Sequence, residues 1–80
     1  MKVKVLVSLK EGVLDPQAKA IAHALCAHGF ESLQSVKLSK EIILDIQENN
    51  ADKAYNLAQS MCENLLANVV IEDYSIEILK

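Results

Sequence analysis

His23, Cys26 and His28 are the densest group of ligand- and nucleophile-type side chains in the chain. Imidazole nitrogens and a thiolate are the donors of zinc sites, and a thiolate beside an imidazole is the nucleophile and base of thiol hydrolases. Either chemistry needs convergence. The three residues fall in a helical pattern, where His23 and His28 point to nearly opposite sides, so a shared metal ion is not expected. His23 stands one turn from Cys26, but Cys26 lies near the C-terminal end of that helix, where the dipole opposes thiolate formation. Cys26 and Cys62 each take the edge of an apolar stripe and read as small buried hydrophobes, reduced rather than bridged. Glu72 and Asp73 are adjacent in a strand or its entry and should face opposite sides instead of forming an acid–base pair. Gly12 and Gly29 are the only glycines, so neither a Gly-x-Gly element nor a P-loop is present to cradle a phosphate.

The elements that would position these groups belong to one domain, residues 1–80, too short to bury a large core without help from self-association. Hydrophobic residues make up 51 % and aromatics 4 %, which implies a Val, Ile, Leu and Ala core and argues against disorder. Eight Lys, no Arg and eleven acidic residues give a net charge of −3, so no basic surface exists to displace counterions from nucleic acid. The apolar runs are too short for a membrane span, and Met1-Lys2-Val3-Lys4 enters a strand pattern without a signal-peptide core, so a cytosolic protein is expected.

Val3, Val5, Val7 and Leu9 alternate with Lys2, Lys4, Leu6, Ser8 and Lys10, the period of a half-buried strand. Ala18, Ile21, Ala22, Leu25 and Cys26 then form one stripe of a helix over about Pro16 to His28, with Gly29 as a left-handed terminator. Leu33–Leu38 and Glu41–Gln47 read as two strands of a hairpin turning around Ser39-Lys40. Asn49 or Asn50 caps a second helix with the stripe Ala54, Leu57, Ala58, Met61, Cys62, Leu65 and Leu66, stopped near Asn68. A last strand falls within Val69 to Leu79. The two helical stripes match residue for residue at an offset of 36, from Ala18/Ala54 to Cys26/Cys62. The order β-α-β-β-α-β predicts an α+β two-layer sandwich, with two helices on one face of an antiparallel sheet.

On that plan Leu6, Ile43 and Leu79 point away from the helices, and apolar residues on an open sheet face predict self-association there. RNA-binding modules share the element order, but they stack bases on sheet aromatics that are missing here. A regulatory module binding a small effector at a subunit interface is the alternative of a different class, and a hydrolase using Cys26 is the third reading.

The loop Gly12-Val13-Leu14-Asp15-Pro16-Gln17 joins the first strand to the first helix. Asp15 is placed to accept hydrogen bonds from the first-turn amides, and Pro16 suits the first helical position. Val13 and Leu14 have no local role, because a hydrophobic staple would pair Leu14 with Lys19. Leu14 either tucks over the end of the core or meets a partner.

Two segments, Leu9-Lys10-Glu11-Gly12-Val13-Leu14-Asp15-Pro16-Gln17 and Met61-Cys62-Glu63-Asn64-Leu65-Leu66-Ala67-Asn68 followed by Val70-Ile71-Glu72-Asp73-Tyr74, closely resemble the PurS family. Ala18 stands where that family usually has Gly, Lys37-Leu38-Ser39-Lys40 replaces a common Arg-x-Gly-Lys, and Val69 sits where Pro or Thr is frequent. The resemblance implies a small, non-catalytic subunit of phosphoribosylformylglycinamidine synthase in purine biosynthesis. Its partners would be a glutaminase subunit that makes ammonia and a large synthetase subunit that uses it. ATP and Mg would bind the synthetase, with no cofactor or metal on this chain. Under this reading Val13, Leu14 and Asp15 form a docking loop, Lys37 and Lys40 supply polar partner contacts, and Leu6 and Ile43 serve self-association as a dimer or higher.

Overall fold

The computed structural model describes residues 1–79; Lys80, the last residue of the expected domain, lies outside them. The order is β1 (Lys2–Leu9), α1 (Pro16–Ala27), β2 (Ser39–Asp45), α2 (Ala51–Met61), a π-helical turn (Cys62–Leu66) and β3 (Glu72–Ile78). The strands form an antiparallel sheet in the order β2-β1-β3, with Val5 opposite Ile42 on one side and Ile76 on the other. The α+β class and the antiparallel sheet are as expected, but with three strands in place of four.

Alternation fixes which face of the sheet is wet. Val3, Val5 and Val7 are at most 1 % exposed and form the centre of the core with Ala54, Ala58 and Cys62 of α2, which are completely buried. Small residues at a spacing of four let the α2 backbone lie close on the valines, and Asn50 holds the helix start by accepting from the amides of Asp52 (2.9 Å) and Lys53 (3.3 Å). The larger members of the predicted stripe, Leu57, Met61 and Leu65, do not share this burial and are 44 %, 38 % and 84 % exposed. At the end of α2 the Ala67 amide donates to the Cys62 carbonyl at 3.0 Å, an i→i+5 bond. The wider turn changes the angular step between residues, so Leu65 leaves the face that α-helical spacing assigned to it.

The predicted strand Leu33–Leu38 and its hairpin do not form. These residues have no strand neighbour, since β2 starts at Ser39 and pairs with β1, with Ser8 opposite Ser39. Their alternating pattern is present, but a strand also needs an edge to bond to. The second departure concerns the helices. α2 packs on β1 and β3 and covers the sheet, whereas α1 packs substantially on no other element, so only one of the two helices covers the expected face. Cys26 is consequently exposed, against the expectation of two buried thiols.

Local signals for α1 nevertheless act as expected. Asp15 Oδ1 accepts from the amides of Gln17 (3.0 Å) and Ala18 (3.2 Å), Pro16 opens the helix, and Gly29 takes φ 95° just beyond its end.

Candidate functional site

The loop between β1 and α1 is fixed at both ends and exposed in the middle. The Lys10 amide donates to the Ile71 carbonyl (2.8 Å), tying the end of β1 to the segment before β3, and the Val13 amide donates back to the Lys10 carbonyl (3.1 Å). Gly12 sits at φ 87° in this turn, a conformation that disfavours any residue with a Cβ. Asp15 then locks the exit through its two cap bonds. Between these anchors Leu14 is 69 % exposed and Val13 36 %. Leu14 lies beside Pro16, Lys19, Ala20 and His23 on one side of α1 and does not tuck over the sheet core.

Val13, Asp15 and Lys37 line one open cleft of about 530 Å³ between this loop and the chain returning to β2. Lys40 lies across an adjacent cleft from Asp15, its Nζ 3.9 Å from a carboxylate oxygen of Glu72. Four of the five residues expected to meet partners therefore line these two clefts, which share Asp15, while Leu14 lies on the flank of α1. Leu6 and Ile43, expected to mediate self-association, do face the open side of the sheet, and the pairing of Leu6 with Glu41 and of Lys4 with Ile43 makes them diagonal neighbours. They are 38 % and 50 % exposed. Lys4 crosses the same face between Glu77 (3.0 Å) and Glu41 (3.9 Å), so the pair lies beside a row of charge. The hydrogen bond and charge of Glu77, with a smaller contribution from Glu41, hold the Lys4 ammonium above its ordinary pKa.

The ligand-type residues are dispersed. His28 Nδ1 is 2.8 Å from the Ala24 carbonyl oxygen and serves the end of α1. Burial, then the charge of Glu63, pushes the Cys62 thiol up from its ordinary pKa, which keeps it protonated and inert. Among the described residues no three His, Cys, Asp or Glu side chains gather in a way that could hold a metal ion, and no helix is long and apolar enough to cross a membrane.

Residue patterns missed a second apolar surface. Val69 and Val70 are 46 % and 79 % exposed in the turn before β3. The Asn68 side chain accepts from the Val70 amide (3.2 Å), its carbonyl accepts from Glu72 (2.7 Å), and its own amide donates to the Glu72 carboxylate (2.8 Å). This clasp holds the turn through polar contacts and leaves the valines exposed. The run Val69-Val70-Ile71 was the available signal, but apolar β-branched residues read first as a strand.

A sequence model of the PurS family, described as phosphoribosylformylglycinamidine (FGAM) synthase, matches residues 2–80. The PurS subunit of phosphoribosylformylglycinamidine synthase from Bacillus subtilis is 49 % identical over 77 residues, 96 % of this chain and 90 % of that one. The structure of B. subtilis PurS aligns with a TM-score of 0.86 at 48 % identity, over 99 % of this chain and 98 % of that one. A chain in the structure of PurLQS from Thermotoga maritima aligns equally well, at TM-score 0.86 and 30 % identity, over 95 % of this chain and 93 % of that one.

Proposed function

The chain belongs to the PurS family of phosphoribosylformylglycinamidine synthase subunits, and on that premise we propose that it acts in purine biosynthesis as an assembly subunit with no catalytic centre of its own. It bridges a glutaminase and a synthetase, the counterparts of the other two components in PurLQS, and assists the passage of ammonia between them. ATP and Mg belong to the synthetase, and the complex works in the cytoplasm. The observation that carries this reading is the capped loop, which holds Leu14 69 % exposed on a backbone fixed by four hydrogen bonds. An exposed apolar side chain on a rigid support is suited to docking, because little conformational entropy is lost when a partner covers it.

The mechanism is positional. Val13 and Leu14 supply the apolar centre of the contact, and Lys37 and Lys40 supply charge at its rim. A glutaminase held in register with a synthetase delivers ammonia without release to water, which raises its effective concentration at the second site. The test is reconstitution of glutamine-dependent synthesis from the two larger subunits with and without this chain, with ammonia-dependent synthesis as the control. Loss confined to the glutamine reaction is expected; glutamine-dependent turnover that is unchanged on omission would overturn the proposal.

A further inference from the structure

Glu72 and Asp73 are neighbours in β3 and leave the sheet on opposite faces. Asp73 lies on the open face, 69 % exposed, with a carboxylate oxygen 3.8 Å from Lys10 Nζ. Glu72 stands opposite Leu9 on the face of the core valines, and its side chain is only 16 % exposed. A carboxylate drawn that far from water needs partners. The Asn68 amide donates to one oxygen at 2.8 Å, and the other oxygen lies 3.9 Å from Lys40 Nζ.

These two contacts join separate parts of the chain. Lys40 pairs with Val7, so Glu72 reaches over β1 from one edge strand of the sheet to the other. Asn68 opens the turn before β3, and its carbonyl accepts from the amides of Ile71 (3.0 Å) and Glu72 (2.7 Å). The Ile71 carbonyl accepts from the Lys10 amide (2.8 Å), and the Lys10 carbonyl accepts from the Val13 amide (3.1 Å). Hydrogen bonds therefore run from the Glu72 carboxylate through the turn to the base of the loop that carries Val13 and Leu14. Glu72 and Lys40 also line the cleft shared with Asp15 and Gln17 at the other end of that loop.

We infer that Glu72 is a positioning residue for assembly: its carboxylate holds the loop proposed to dock and the Lys40 ammonium in one fixed relation, without touching a partner itself. The purpose rests on the assembly role proposed above, whereas the linkage is a property of the isolated chain. Ordering a loop and a long Lys side chain costs conformational entropy, and a contact that orders both beforehand moves that cost from docking to folding. The two contacts differ in strength. At 3.9 Å, with Lys40 64 % exposed, the ion pair exceeds hydrogen-bond distance and adds little to stability. The charge-assisted bond to the Asn68 amide is the firmer one, so an acceptor oxygen at this position matters more than the charge.

Glu72→Ala and Glu72→Gln versions of the full chain test this, since Gln keeps an oxygen for the Asn68 amide and Ala does not. In the isolated chain, amide exchange at Asn68, Lys10 and Val13 should be about tenfold faster in Glu72→Ala and within about threefold of the parent in Glu72→Gln, with exchange at Val5 in the core unchanged in both. In the reconstituted complex, Glu72→Ala should raise the concentration of this chain that gives half-maximal glutamine-dependent turnover on the order of tenfold, leaving the turnover at saturation and the ammonia reaction as they were. Glu72→Gln should recover most of that loss. Exchange at Lys10 and Val13 that keeps the parent rate in Glu72→Ala overturns the inference, as does equal acceleration at Val5, which would mark a general loss of stability. A lowered turnover at saturation with unchanged half-saturation, or a Glu72→Gln chain as impaired as Glu72→Ala, overturns it too. Glutamine-dependent turnover that is unchanged when the parent chain is omitted would instead overturn the assembly role, and the exchange rates would still decide the linkage.

Discussion

Cys26 and Cys62 occupy equivalent places on two helices of matching apolar pattern, yet Cys62 is completely buried and Cys26 is exposed. The difference lies in what each helix rests on, since α2 lies on the valines of β1 and α1 packs substantially on no other element among the described residues.

Thiol chemistry reads this contrast directly. Under native conditions Cys26 should react with a thiol reagent at least about tenfold faster than Cys62, whose modification must await opening of the α2–sheet contact. Peptide mapping after a timed pulse of iodoacetamide measures both rates, and equal labelling would contradict the packing of α2.

Asp15→Ala removes the acceptor of two first-turn amides. The expected cost is about 1 kcal/mol, read as a lower urea midpoint with an unchanged slope. Because the same residue fixes the exit of the loop proposed to dock, glutamine-dependent turnover should fall with it.

Leu14→Asp separates docking from folding. At 69 % exposure the change should shift stability by no more than about 0.5 kcal/mol. In the reconstituted complex it should nonetheless depress the glutamine reaction about tenfold or more and leave the ammonia reaction alone. A turnover equal to that of the parent chain would remove Leu14 from the interface.

Alkaline pH should weaken the fold through two groups. Lys4 gains charge partners on folding, so its stabilising contribution is complete below its ordinary value of 10.5 and is lost as pH rises through the higher folded value. The Cys62 thiol resists ionisation when buried, so above its ordinary value of 9.0 the unfolded chain sheds a proton that the folded chain keeps, and stability falls again. Denaturation midpoints followed from pH 8 upward should therefore decline, and Cys62→Ala should lessen the decline that begins near 9.0.

Ala58→Leu places a larger side chain where α2 meets the sheet at a fully buried position. A loss of about 1–3 kcal/mol is expected from overpacking, measured by thermal or urea unfolding. Leu65→Ala, on the same helical face by sequence pattern but 84 % exposed, should be close to neutral.

The contrast between Ala58 and Leu65 shows what residue patterns conveyed and where they stopped. Local instructions were legible: the valine alternation of β1, the Asp15-Pro16 start and the Gly29 stop all act within a few residues. Val13 and Leu14 stood out for the same reason, as two apolar residues without a local role, but the sequence left both core and partner open for Leu14, and only the fold places it in the open. What covers an apolar stripe was not legible, because α1 and α2 present nearly the same pattern and only the fold distinguishes them. Leu33–Leu38 carries the alternation of a strand, but alternation describes two faces and says nothing of a neighbouring edge. Leu65 was misplaced because one π-helical turn changes the angular step that every periodicity argument assumes constant.

β1 is the central strand although it is the first to leave the ribosome. Both of its neighbours lie downstream, with Val5 waiting for Ile42 and then for Ile76. The sheet therefore cannot close during synthesis of the first half of the chain, and every strand pairing is a long-range event that slows folding. α1, by contrast, needs only its own residues and caps to begin forming, so the element least supported by the finished protomer is among the earliest that the nascent chain can explore.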